Sequence, residues 1–163
     1  MNRDSNAYTF LFATLMVFAV ASSLAITASS LKDLQDANVR KEKMQNILAT
    51  IGIESDREQA ETLYNKHITA QISLTETGAI DQNVNAFEIE LNKELKKPTK
   101  EQRFPIYEAD VEGEKFYIIP LRGAGLWNAI WGYIALKDDK NTIKGAVFDH
   151  VGETAGLGAE ITQ

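Results

Sequence analysis

The chain has 163 residues, 44% of them hydrophobic, a net charge of −6 at pH 7 and no cysteine. That length leaves room for one domain and an accessory segment, and the apolar content argues against a disordered chain. The acidic balance argues against a nucleic-acid binder, and the missing cysteine excludes disulfides, thiolate metal ligands, a cysteine nucleophile and a lipid anchor on cysteine.

In chain order, residues 1–6 are a short tail. From Ser5 to Leu31 there is no charged residue, and Ala7 to Ala28 is almost wholly apolar. Those 22 residues make about 33 Å of helix at ~1.5 Å per residue, enough to cross a hydrocarbon core. A transmembrane helix is therefore expected over 7–29. Small residues at Ser23, Ala25 and Ala28 would also suit signal-peptide cleavage, but the apolar run is longer than a usual signal core. Lys32, Arg40, Lys41 and Lys43 follow the span while only Arg3 precedes it, so charge counting places the following domain in the cytoplasm.

Leu34 to Ile53 reads as a helix with Met44, Ile47, Leu48 and Ile51 as an apolar stripe, ending at Gly52. Asp56 to Ile72 reads as a second helix, opened by Ser55 or Asp56 as a cap. Ser73 to Asn85 reads as a loop. Phe87, Ile89 and Leu91 alternate with polar residues as in a half-buried strand, and Lys93 to Arg103 reads as a loop or linker. Ile106 to Val111, a turn at Gly113, and Lys115 to Leu121 form a hairpin pattern. Asn128 to Leu136 and Thr142 to Asp149 form a second strand pair. Helices followed by a run of strands favour an α+β domain over 30–163. His67 and His150 are far apart, so no metal site is expected.

Two glycine-rich stretches flank the second strand pair: Pro120-Leu-Arg-Gly-Ala-Gly-Leu-Trp127 and Gly152-Glu-Thr-Ala-Gly-Leu-Gly158. Trp127 and Thr154 are 27 positions apart. Glycines at this density let a backbone approach a ligand closely, or make ordinary tight turns. Trp127 taken alone reads more simply as a core residue. Leu126, Trp127 and Leu157 could form apolar walls, Thr154 could give a hydroxyl hydrogen bond, and Gly156 and Gly158 could expose N–H groups. Glu153 could accept from a ligand or orient its turn.

The order, spacing and intervening strands of these motifs resemble the FMN-binding domain of the C subunit of the sodium-translocating NADH:quinone oxidoreductase. Ala155 stands where that family usually has proline. The resemblance implies a membrane-anchored flavoprotein subunit carrying FMN, with Leu126, Trp127, Glu153, Thr154, Gly156, Leu157 and Gly158 around it. The subunit moves electrons within a complex that couples NADH oxidation and quinone reduction to sodium export, and does no substrate chemistry alone. It implies the other subunits and a flavin transferase as partners, no nucleic acid, and a single pass through the bacterial inner membrane. The family's topology places the domain in the periplasm, against the charge count. Family members hold FMN through a threonine in a Ser-Gly-Ala-Thr motif downstream. No serine follows Ser73, so no acceptor is expected in this chain, and the domain reads as incomplete at its carboxy terminus. The related G subunit of the Rnf complex and an anchored non-flavin binding module are the alternatives.

Overall fold

The computed structural model describes residues 5–162; Arg3 and most of the expected tail lie outside the described residues. The chain divides into two compact units, Met1–Arg40 and Lys41–Gln163.

Helix α1 runs without interruption over Asn6–Thr50. Two helices were expected here, and the reason for one is local. No glycine or proline precedes Gly52, so nothing in this stretch breaks a helix. Ser30, between the two expected segments, satisfies its hydroxyl inside the helix by donating to Ile26 C=O at 2.9 Å. Lys32 and Asp36 then form a pair one turn apart at 2.9 Å. Among the described residues this is the one helix long and apolar enough to cross a membrane. Phe10, Leu15, Val17, Phe18 and Leu24 are all exposed along it, as suits an apolar medium.

Helix α1 stops where Gly52 predicts. Gly52 adopts φ +83°, its N–H donates to Ala49 C=O at 3.0 Å, and Ile53 N–H donates to Leu48 C=O at 3.1 Å. These are the paired bonds of a Schellman motif.

Five strands follow in a simple antiparallel meander, β1 (Ile68–Leu74), β2 (Phe104–Val111), β3 (Glu114–Ala124), β4 (Ala129–Lys137) and β5 (Ile143–His150), in that spatial order. β2 to β5 match the two expected strand pairs within a few residues. With the long apolar helix they make an α+β fold.

Three further expectations differ. The second helix, α2, covers only Ala60–His67. Asp56 does cap its approach, accepting from Gln59 N–H at 2.8 Å. The expected continuation to Ile72 is instead β1, because Ile68, Ile72 and Leu74 find a partner in β2, with Ile72 opposite Ile106 and Leu74 opposite Phe104. Pairing over a whole strand overrides a local helix preference. Phe87 to Leu91 is not a strand. The Asn85 side chain accepts from Phe87 N–H at 2.9 Å and turns Ala86–Glu88 into a 3-10 helix. Phe87 and Ile89 are nonetheless both buried, so the alternation reported burial correctly and conformation wrongly. Lys93 to Arg103, read as a loop, carries the end of a short helix α3 (Leu91–Glu94) and a 3-10 turn at Thr99–Glu101.

The core lies between one face of the sheet and the helical segments over it. Met44, Ile47, Leu48 and Ile51 from the end of α1 and Tyr64 from α2 join Phe87 and the alternate residues Tyr107, Ala109, Phe116, Ile118, Tyr133 and Ala135. Tyr64 meets Phe87 edge-on at 5.6 Å, and Phe87 meets Tyr107 edge-on at 6.5 Å. Such contacts add about 0.5–1.5 kcal/mol each beyond area burial.

Candidate functional site

The two glycine-rich stretches meet at one end of the sheet. β3 ends at Ala124, β4 begins at Ala129, and β5 ends at His150, so antiparallel order brings residues 125–128 beside residues 151–158. The ladder itself reaches only one step further, where Val151 N–H donates to Ala129 C=O at 3.0 Å.

Residues 125–128 form a tight turn closed by Gly125 N–H donating to Asn128 C=O at 2.7 Å. Leu126 and Trp127 stand at its tip, 67% and 71% exposed. Trp127 is therefore not a core residue. Leu157, from the other stretch, is 63% exposed. Large apolar groups this open, gathered at one end of a sheet, mark a surface that takes a partner or a ligand.

Glu153 is the buried member of the set, 9% exposed. Its Oε1 accepts from Asn128 N–H at 2.9 Å and from Trp127 N–H at 3.1 Å, and its Oε2 lies 3.3 Å from Trp127 N. The Asn128 N–H bond holds the carboxyl below its usual range, helped by the Trp127 and Leu126 amides and His150 and opposed by desolvation. A side chain at Gly125 would fall on Oε1, and one at Gly158 on Oε2. These two glycines therefore make room for a carboxylate of the protein itself. Glu153 N–H in turn donates to His150 Nδ1 at 3.2 Å.

Thr154 opens a β-turn, with Leu157 N–H donating to Thr154 C=O at 3.1 Å. Gly156 has φ +75° while Ala155 is not in the left-handed region, the signature of a type II turn with glycine in its third position. Gly156 N–H also donates to Glu160 Oε1 at 3.0 Å. The Thr154 side chain is exposed, and its hydroxyl has no protein partner among the described hydrogen bonds.

An open cleft of about 510 Å³ runs beside the turn, lined by Asn92, Leu95, Lys96, Arg122, Trp127 and Asn128 among others. Asn128, which supplies the central N–H, and the cleft residues Arg122 and Lys96 were not among the expected site residues. Arg122 lies within the first glycine-rich stretch and Asn128 directly follows it, so their place in the sequence could have drawn attention to them; nothing in the sequence singles out Lys96. Among the described residues no group of His, Asp and Glu has the arrangement of a metal site.

No family model matches the chain. Among curated proteins, it is 28% identical to the C subunit of the Na(+)-translocating NADH-quinone reductase of Pseudomonas aeruginosa over 180 residues, covering 98% of this chain and 69% of that protein. The C subunit of Haemophilus ducreyi is also 28% identical, with 98% and 68% covered. The crystal structure of the C subunit from Parabacteroides distasonis superposes with a TM-score of 0.75 at 41% identity, covering 82% of this chain and 64% of that one. The chain is a homologue of these C subunits. The Shewanella oneidensis NqrC structure, at 24% identity and a TM-score of 0.66, shares the fold. The chain spans about two thirds of the length of these relatives, between 64% and 69% of each. The relatives are named as subunits of an oxidoreductase complex, and the homology supports a subunit of that complex.

The missing proline leads to a test of the turn. Ala155 holds the second position of the type II turn, where proline is favoured, and its N–H donates no hydrogen bond among the described ones. Ala155→Pro is expected to stabilise the folded chain by about 0.4–1 kcal/mol through the entropy of the unfolded state. A lower denaturation midpoint in the variant would show that the turn has another form.

Proposed function

We propose that the chain is the FMN-carrying electron-transfer subunit of a sodium-translocating NADH:quinone reductase. α1 anchors it in the bacterial inner membrane, with the domain on the periplasmic side. Other subunits of the complex and a flavin transferase are its partners. The carrying observation is that Leu126, Trp127 and Leu157 are exposed on two stretches that Glu153 joins at one end of the sheet. An isoalloxazine ring needs apolar walls and a few polar groups to fix it. Leu126, Trp127 and Leu157 fit the walls, and the exposed Thr154 hydroxyl fits a hydrogen bond. Gly156 donates its N–H to Glu160 and Gly158 packs against the Glu153 carboxylate, so their part in the site is to shape the turn. When bound, the flavin supplies the electron-carrying chemistry; the protein's residues orient it and exclude water from one face.

The test is FMN titration of the full chain in detergent, read by quenching of flavin fluorescence. Trp127→Ala is expected to weaken binding by about five-fold to 150-fold, since stacking on an aromatic is worth about 1–3 kcal/mol. Thr154→Val removes one hydrogen bond of about 1 kcal/mol, roughly a fivefold loss. Unchanged affinity in both variants would overturn the site. Orientation is read by an alkaline phosphatase fusion after Ile53, active only outside the cytoplasm; an inactive fusion would reverse it.

A further inference from the structure

The carboxylate of Glu153 is placed differently from a ligand contact. Both its oxygens face main-chain N–H groups of the 125–128 turn, and its flanks are closed by Gly125 and Gly158. Its own N–H is fixed to His150 at the end of β5. Beyond the single bond from Val151 to Ala129, these are, among the described hydrogen bonds, the ones that tie the two motif stretches together. Their donors are 25 and 26 positions away in sequence.

We infer that Glu153 is a positioning residue: its carboxylate staples the Gly125–Asn128 turn to the 151–158 segment and so holds Trp127 and Leu157 as two sides of one surface. Hydrogen bonds to an ionised acceptor are about twice as strong as neutral ones. Two consecutive N–H groups converging on one carboxylate leave no donor unsatisfied in a sheltered place. Glutamine keeps one acceptor oxygen but loses the charge, and its NH₂ takes the place of Oε2, which Trp127 N–H also faces at 3.3 Å. Aspartate keeps the charge but is one methylene short. The staple predicts that flavin affinity depends on Glu153 although Glu153 does not touch the ring. That consequence rests on the flavin reading above; the staple does not.

The staple acts in the ionised state. Its pKa is depressed in the folded chain, so its contribution is full above the ordinary glutamate value of 4.5 and is lost as pH falls through the lower folded value. The other charged or titratable groups on the surrounding elements are Asp149 and His150 at the end of β5, Arg122 before the turn, Glu160 after it, and Lys96 across the cleft beside Trp127 and Asn128.

The experiment is amide NMR on the full chain in detergent micelles, following the N–H groups of Trp127, Asn128 and the core residue Ile118. In the unaltered protein the Trp127 and Asn128 signals are expected to shift together on acidification, with one midpoint below 4.5 that matches the Glu153 carboxyl carbon. Glu153→Gln and Glu153→Asp are each expected to speed exchange at these two amides by tenfold or more and leave Ile118 unchanged. Glu153→Gln is also expected to weaken FMN binding about as much as Trp127→Ala, with Trp127 intact. Amides of Trp127 and Asn128 that ignore the Glu153 titration in the unaltered protein would overturn the staple, whether or not the variants fold. Failure of the unaltered protein to bind FMN, with the amide titration as expected, would overturn the flavin reading and leave the staple standing.

Discussion

Phe116→Ala is expected to destabilise the sheet domain by about 3–5 kcal/mol, the cost of emptying a fully enclosed aromatic site. Phe116 is 1% exposed. It sits on β3 opposite Ala109 of β2 and Lys137 of β4, on the face that receives the end of α1. Its small neighbour Ala109 cannot expand into the space, so the cavity term adds to the lost transfer energy. Lys144 also lies over its ring, 5.6 Å from the centroid, a contact worth at most about 1 kcal/mol at an exposed site. Tyr117, next in sequence, points to the opposite face, where Lys115 and Lys140 approach its ring at 5.1 Å. Tyr117→Ala should cost far less. Urea unfolding followed by the fluorescence of Trp131, which packs against the core, gives both values. Equal losses at 116 and 117 would mean that the buried face is misassigned.

How far this structure can be read from the sequence depends on the reach of each interaction. The strands β2 to β5 are legible because alternation and the turn at Gly113 are local, and Gly113 does adopt φ +87°. The helix stop at Gly52 is legible for the same reason. β1 is not, because Ile68–Leu74 becomes a strand only by pairing with residues about thirty or more positions later. The 3-10 turn at Ala86–Glu88 is hidden for the opposite reason: one side-chain bond from Asn85 overrides a strand-like pattern. At the site, the motifs draw attention to Glu153, Trp127 and Leu157, yet they cannot distinguish a ligand contact from a staple. That distinction lies in which atoms face the carboxylate, and those atoms are backbone N–H groups that every residue but proline carries. The glycines show the same limit. Gly125 and Gly158 look like places for a ligand, and the occupant is a side chain of the chain itself.

Gly145 carries the sharpest conflict between local preference and packing. It lies in the middle of β5, paired with Ala135. By strand propensity, Gly145→Val should stabilise the protein by up to about 1 kcal/mol. The surroundings oppose this. A Cβ at Gly145 would lie 3.3 Å from the Thr50 carbonyl carbon and 3.7 Å from its Cα, and closer still to its carbonyl oxygen. These are main-chain atoms, so no rotamer change relieves the contact. Thr50 is also unable to retreat. It is 1% exposed, its hydroxyl donates to Ile47 C=O at 2.6 Å, and the Schellman bonds of Gly52 and Ile53 fix the helix end around it. Overpacking a well-filled interior costs about 1–3 kcal/mol, and a backbone clash belongs at the upper end. The packing loss exceeds the propensity gain, so Gly145→Val is expected to destabilise by roughly 2 kcal/mol net. Gly145→Ala should show most of that loss, since Cβ itself makes the clash. Gly123→Ala is the control: its nearest neighbour would be Ile130 Cγ1 at 3.8 Å, ordinary contact, so little change is expected. Hydrogen exchange at Ile51 and Gly52 should quicken in the Gly145 variants before global unfolding, as the helix end lifts from β5. A Gly145→Val protein with an unchanged urea midpoint and unchanged exchange there would show that the end of α1 does not rest on this strand.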